Sequence, residues 1–224
     1  MLTVENILAL VLAYLIGSIP TAVWIGQLFY KIDVREYGSG NAGATNTFRV
    51  LGKKAGIPVL LFDVVKGVIA VLLAYVFSTE LPESARFVNF QLALGVSAVI
   101  GHVFPVYVGF RGGKGIATLL GIMIAIHYQA ASMALLVFLV VFLVTRYVSL
   151  GSMSAAISFP FIVIVVFKSA IPSLIIFSLF ISIMVLITHQ KNIERLIRKE
   201  ESKANLSFKK LKKGDDDDDV TDDD

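Results

Sequence analysis

The chain has 224 residues, of which 56% are hydrophobic, with a mean hydropathy of +0.79 and a formal charge of +3. Apolar content this high, gathered in long runs, excludes an ordinary soluble domain and reads as an all-α integral membrane protein. With no cysteine, the chain can form no disulfide, no thiolate metal site and no thioester intermediate of its own.

The first apolar run, 2–28, lacks a basic lead and is long enough to cross a bilayer core at ~1.5 Å per residue. It therefore reads as a first span, not a cleaved signal. Behind it comes a polar stretch, YGSGNAGATNTFRVLGKKAG, at 37–56. Further apolar runs follow at 57–77, 90–108, 116–144, 151–167 and 172–187, and within these five only Asp63 and Lys66 place a charge, Glu5 lying near the start of the first run. At i, i+3 they read as a structural or supporting pair, because either charge left alone in a membrane is costly. The run 116–144 is long enough for one tilted span or two short ones, and HYQ at 127–129 interrupts it near the middle.

Charge decides between those two readings. With two spans there, the chain crosses seven times and gathers Lys31, Arg35, Arg49, Lys53, Lys54, Arg111, Lys114, Arg146 and the tail cations on one face. Only Arg86 and Lys168 are left on the other. An even number of crossings would set the basic tail opposite the basic first loop, against the positive-inside bias. The expectation is seven transmembrane helices, with the N-terminus outside and the C-terminus cytoplasmic. Five spans plus two re-entrant segments are the alternative. The chain is expected to divide into one multi-span domain, 1–201, and a charged cytoplasmic tail, 202–224. Eight of its seventeen acids lie in 215–224, so everything before them carries twenty Lys and Arg against nine acids. Like charges repel and ten such residues cannot build a core, so 215–224 is expected to be disordered.

Three polar segments meet on the cytoplasmic face in this topology. In GSGNAGATNTFR, 38–49, successive glycines can turn backbone N–H groups inward, and Ser39, Asn41, Thr45, Asn46 and Thr47 add donors. Arg49 supplies a cationic fork suited to phosphate. In GFRGGKGIATLLG, 109–121, Gly112, Gly113, Lys114 and Gly115 run into a helix start, where unpaired N–H groups and the helix dipole favour an anion. The spacing is not that of a Walker A loop, and a lone GGKG also marks ordinary tight cytoplasmic turns. In THQKNIERLIRKEE, 188–201, a helix would carry His189 and Asn192 on one face with Arg195 following. Each segment alone has a bland reading, as a flexible connector, a turn or an interfacial histidine. Together on one face they read as a site for anions.

The chain resembles the acyl-phosphate:glycerol-3-phosphate acyltransferase family, PlsY, of bacteria. The matching stretches are GSGNAGATNTFR at 38–49, FDVVKG at 62–67, GHVFPVYVGFRGGKGIAT at 101–118, TRYVSLGS at 145–152 and THQKNIERL at 188–196, in order along the hydrophobic body. The resemblance implies an enzyme of phospholipid synthesis in the bacterial cell membrane, with its site on the cytoplasmic face. It would move an acyl chain from acyl phosphate to the 1-hydroxyl of glycerol 3-phosphate, giving lysophosphatidic acid and phosphate. By matched position, Ser39, Arg49, His189 and Asn192 resemble the residues that grip glycerol phosphate. Gly112, Gly113, Lys114 and Gly115 resemble the phosphoryl loop, with Asn41, Thr45 and Asn46 as further substrate contacts. Ser149 or Ser152, beside Arg146, is a weaker candidate for the acyl phosphate, because hydroxyls near a helix start are often caps. The implied partners are the two substrates, membrane lipid and the soluble enzyme that makes acyl phosphate, and no nucleic acid.

Phosphate is already a good leaving group, so positioning and electrostatic stabilisation could carry much of the rate, with no cofactor and no metal. Direct transfer is favoured over an acyl-Ser39 intermediate, because no histidine and acid flank Ser39 in sequence. The proton of the glycerol hydroxyl has two possible acceptors, His189 and a substrate phosphate oxygen. The latter is favoured, since no Asp or Glu lies within a turn of His189. The widespread H-x-x-x-x-D acyltransferase motif is missing, and Glu194 reads as structural. A transporter would want midplane groups and repeated helices. A CDP-alcohol phosphotransferase would want clustered aspartates for metal. A scaffold would not explain the three segments.

Overall fold

The computed structural model describes residues 3–82 and 84–204, which form helices and turns with no strand among them. The elements are α1 (Val4–Gly17), α2 (Thr21–Tyr30), a 3-10 turn (Val34–Glu36), α3 (Ala44–Leu51), α4 (Lys53–Leu72) with the short α5 (Ala74–Phe77), and α6 (Ala85–Val103). A second 3-10 turn (Val106–Val108), α7 (Ile116–Thr145), α8 (Val148–Phe161) with a π-helical turn (Ile162–Val166), α9 (Pro172–Thr188) and α10 (Gln190–Ile197) complete them. The expected disorder of 215–224 lies outside the described residues.

The first apolar run is not one straight helix. Pro20 lacks the N–H that would continue α1, and α2 leaves at 40°. α1 buries Ala9, Ala13 and Gly17 at i, i+4, i+8, a stripe of small residues that lets backbones approach closely. A Cβ on Gly17 would stand 2.1 Å from Ala98 O, and one on Gly101 2.2 Å from Tyr14 O. The same device joins α4 to α7, where a Cβ on Gly67 would stand 2.3 Å from Thr118 O and one on Gly121 2.0 Å from Val64 O. Lipid gives no hydrophobic force between helices, so such close van der Waals contact is what holds them together.

α7 breaks where HYQ predicts. His127 leaves helical backbone space (φ −152°, ψ 78°), its Nδ1 accepts from Ala130 N at 3.3 Å as a cap for the second arm, and its ring packs on Phe167. The two ends of α7 lie on one face of the bundle. Lys114, just before it, bonds Asn192, and Ser149, just after it, reaches Asn192 through Glu201. A straight helix of 30 residues would hold its ends ~45 Å apart, so the segment doubles back. By length and apolar composition, four helices among the described residues qualify as spans, and the two bent pairs α1–α2 and α9–α10 raise this to six. A seventh crossing depends on counting the two arms of α7 separately.

Candidate active site

The 38–49 loop is built around Asn46, which is almost fully buried on the first turn of α3. Its Nδ2 donates to Val34 O (2.8 Å) and Tyr37 O (3.1 Å), and its Oδ1 accepts from Ser39 N (2.8 Å) and Ser39 Oγ (3.1 Å). Sequence reading offers Asn46 as a donor to substrate, but in the fold its amide is spent on the loop and presents Ser39. Thr47 is likewise turned inward, onto Gly43 O. Thr45 and Arg49 are exposed, Asn41 is half-buried, and the Arg49 stem lies beside Gly38.

Arg35 ties this loop to the glycine loop. Its guanidinium forks onto both oxygens of Asp33 (2.7 to 3.1 Å), and its Nη1 donates to Val108 O (2.8 Å) and Arg111 O (3.3 Å). The side-chain hydrogen bond from Arg35 holds the Asp33 carboxyl below its usual range. Arg35 and Asp33 are absent from the sequence reading of the site, because their partners across the gap are backbone carbonyls with no sequence signature.

Gly112 and Gly113 have no room for a side chain, since a Cβ would stand 2.0 Å from His102 O and 2.2 Å from His102 Nε2 respectively. Their N–H groups donate to Val103 O and His102 O, both at 3.1 Å, closing the end of α6. Those two backbone donors, expected to face a phosphoryl group, are thus occupied. The segment instead offers Lys114 and the first turn of α7, which Gly115 (φ +80°) precedes without a side-chain cap. Unpaired N–H groups at a helix start carry the positive end of its dipole.

Lys114 Nζ donates to Asn192 Oδ1, and Asn192 Nδ2 donates to Glu201 Oε1 (2.6 Å). Glu201 also accepts from Ser149 Oγ (2.7 Å) and from Arg195 Nε (2.7 Å on Oε2). Of the two serines, Ser149 therefore reaches the cluster, whereas Ser152 spends its hydroxyl on Val148 O. His189 is buried, and its Nδ1 lies 2.8 Å from Val185 O, which fixes the N–H there and leaves Nε2 as the second ring nitrogen. Burial lowers the Lys114 pKa to about 8; Glu201 works against that shift, while Arg195 and Arg49 deepen it. Arg49 and Arg195 thus lie within electrostatic reach of Lys114. Burial opposes the charge on Glu201, but hydrogen bonds from Ser149, Arg195 and Asn192 outweigh it and keep the carboxyl below its ordinary pKa.

Glu201 has no local sequence signal to set it apart from Glu200. It enters because Lys199 adopts a left-handed conformation (φ 60°), so that Glu200 N and Glu201 N turn back onto Arg195 O. Arg195, which the sequence places after His189 and Asn192 along the helix, joins the cluster through Glu201. Glu194 pairs with Arg198 on an exposed face, as a structural reading requires. Asp63 and Lys66 form the expected pair at 2.7 Å. Among the described residues, no group of three or more His, Cys, Asp or Glu is placed to hold a metal ion.

Beside this cationic end lies an apolar groove of about 280 Å³, lined by Val99, Ile100 and Val103 of α6, Leu119 of α7, and Phe177, Phe180 and Met184 of α9. It reaches Thr188, the neighbour of His189. Anion-seeking groups and a slot for hydrocarbon therefore adjoin.

The family pattern described as glycerol-3-phosphate acyltransferase matches residues 7–199. A glycerol-3-phosphate acyltransferase of Listeria monocytogenes is 44% identical over 202 residues, covering 90% of this chain and 98% of the relative. One of Enterococcus faecalis is 41% identical over 216 residues, covering 92% and 96%. The crystal structure of PlsY (YgiH), an integral membrane glycerol 3-phosphate acyltransferase, superposes in its glycerol 3-phosphate form with a TM-score of 0.78 at 36% identity, covering 89% of this chain and 96% of that one. Its lysophosphatidic acid form gives 0.75 at 35%. The matched residues 7–199 include the polar segments at 38–49 and 109–121 and the stretch from His189 to Arg195, and the chain belongs to the PlsY family of glycerol-3-phosphate acyltransferases.

Proposed function

We propose that this protein transfers an acyl chain from acyl phosphate to the 1-hydroxyl of glycerol 3-phosphate, releasing lysophosphatidic acid and phosphate. The observation that carries this reading is the junction at Thr188 and His189: an apolar groove reaches Thr188, and the next residue, His189, opens the turn that holds Asn192, the partner of Lys114, with Arg49 and Arg195 within electrostatic reach. The acyl tail lies in the groove, and phosphate heads lie against the cations. The glycerol hydroxyl attacks the acyl carbon, the phosphate leaves with the bonding electrons, and the hydroxyl proton passes to a phosphate oxygen. Ser39, Arg49, His189 and Asn192 grip the glycerol phosphate, assisted by Asn41 and Thr45. Lys114 and the α7 start behind Gly115 receive the acyl phosphate, while Ser149 donates to Glu201 at the edge of the cluster. Direct transfer fits the surroundings of Ser39, whose hydroxyl meets the Asn46 amide oxygen and, among the described residues, no histidine or carboxylate.

The test is turnover of purified protein with glycerol 3-phosphate and one of three donors: acyl phosphate, acyl-CoA or acyl carrier protein. Lysophosphatidic acid is expected from acyl phosphate alone, at a rate unchanged by a metal chelator. Turnover only with a thioester would assign the chain another donor, and strict magnesium dependence would overturn the metal-free mechanism.

The site belongs on the cytoplasmic face of a bacterial cell membrane, where glycerol 3-phosphate and a soluble enzyme supplying acyl phosphate have access. The folding back of α7 supports two crossings there, hence seven in all with the N-terminus outside. Single cysteines at 38–56 and 109–115 are expected to react with an impermeant maleimide from the cytoplasmic side, and those at 80–86 from outside. Labelling of Lys114→Cys from outside would overturn this topology.

A further inference from the structure

Under the glycine loop, inside the bundle, lies a second polar cluster. Asp63 and Lys66 of α4 are buried, with Thr21 Oγ1 donating to Asp63 Oδ1 (2.8 Å) and Lys66 Nζ donating to Ile19 O (2.9 Å). His102, in the last turn of α6, is buried as well. Its Nδ1 lies 3.1 Å from Thr118 Oγ1 and 3.7 Å from Asp63 Oδ1. The space among Asp63, Lys66, His102 and the two glycines is only about 10 Å³, too small for any substrate, so the cluster cannot act by contact.

Its reach is nevertheless specific. His102 holds the residue before Lys114 twice, through its carbonyl on Gly113 N–H and through its ring edge against Gly113. Through Nδ1 it holds Thr118, four residues beyond Lys114, in the first turn of α7. Both sides of Lys114 are thus fixed by one residue, whose ring packs against Asp63, with Nδ1 3.7 Å from Asp63 Oδ1, while Oδ1 itself is held by Thr21 and Lys66. Polar groups buried this deeply are costly unless mutually satisfied, so a satisfied set permits one arrangement and penalises others.

We infer that His102 and Thr118, with Asp63 packed behind the imidazole, form a positioning chain that sets where Lys114 stands relative to the substrate phosphates. This rests on the anion site proposed above. Thr118→Val removes the hydroxyl and keeps the shape, and Thr118→Ser keeps the hydroxyl. His102→Asn serves as a second variant should Thr118→Val not fold.

Two readouts apply to folded, purified protein. One is the split of kcat and KM for acyl transfer. The other is the pH midpoint for acetylation of the Lys114 amine, read by mass spectrometry, which needs no turnover. That midpoint reports the surroundings of Lys114: Asn192 and Arg195 of α10, Glu201 beyond it, and Arg49 of α3. Thr118→Val is expected to lower kcat/KM by ~10-fold and to shift the midpoint by ~0.5 unit or more, and Thr118→Ser to restore both. A folded Thr118→Val with wild-type kinetics and midpoint overturns the inference. Wild-type protein inactive with every donor, yet with the midpoint shifted in Thr118→Val and restored in Thr118→Ser, keeps the positioning chain and overturns the acyl-transfer reading.

Discussion

Replacing His189 by alanine is expected to raise KM for glycerol 3-phosphate ~10- to 100-fold, with a smaller effect on kcat. The magnitude is that of losing one hydrogen bond to a charged or strongly polarised ligand group, ~1.5–3 kcal/mol. The geometry argues for a holding role. His189 gives its Nδ1 side to the Val185 carbonyl, not to a carboxylate, so the imidazolium that a general base must become gains no fixed negative partner on that nitrogen. Glu201 is engaged elsewhere, by Ser149, Asn192 and Arg195. A phosphate oxygen, with a second pKa near 6, can take the proton of the attacking hydroxyl instead. His189→Asn and His189→Gln retain an amide acceptor and donor and are expected to recover part of the lost affinity, while the acidic limb of the pH profile persists. A kcat fall of ~100-fold or more at unchanged KM, rescued by neither amide, would make His189 the general base.

The second large effect concerns Lys114. Its pKa of about 8 means that it loses its charge as pH rises through that value, so kcat/KM, which reports the free enzyme, should fall on the alkaline side near pH 8. Bound phosphates stabilise the ammonium, so the corresponding limb in kcat should appear at higher pH. Lys114→Ala is expected to cost ~100- to 1,000-fold in kcat/KM, the scale for losing one preorganised charge donor in a desolvated site. Lys114→Arg should weaken activity through altered geometry but abolish the alkaline limb, because a guanidinium stays charged. Glu201→Gln removes the negative charge that raises the Lys114 pKa, so its limb should move to lower pH. A limb that remains at the wild-type position in Lys114→Arg would assign it to another group.

The membrane class, the break at His127, the Asp63–Lys66 pair and the convergence of three polar segments were all legible in the order of residues. Each depends on what a residue or its near neighbours tolerate: hydrocarbon surroundings, an interrupted helical run, or a charge that needs a partner one turn away. Which side chains within those segments remain open to a ligand was not legible. Asn46 looked like a substrate contact as readily as Ser39, until burial turned it onto Val34 and Tyr37. The donors of Gly112 and Gly113 looked free until the end of α6 claimed them. Glu201 gave no signal at all, because Ser149 is 52 positions away and its nearer partners, Arg195 and Asn192 at six and nine positions, lie at no helical spacing from it and are reached only through the turn at Lys199. Composition and periodicity record preferences that each residue expresses by itself or over one helical turn. The choice of hydrogen-bond partner among buried polar groups is a property of pairs, and only the packed helices bring those pairs within 3 Å.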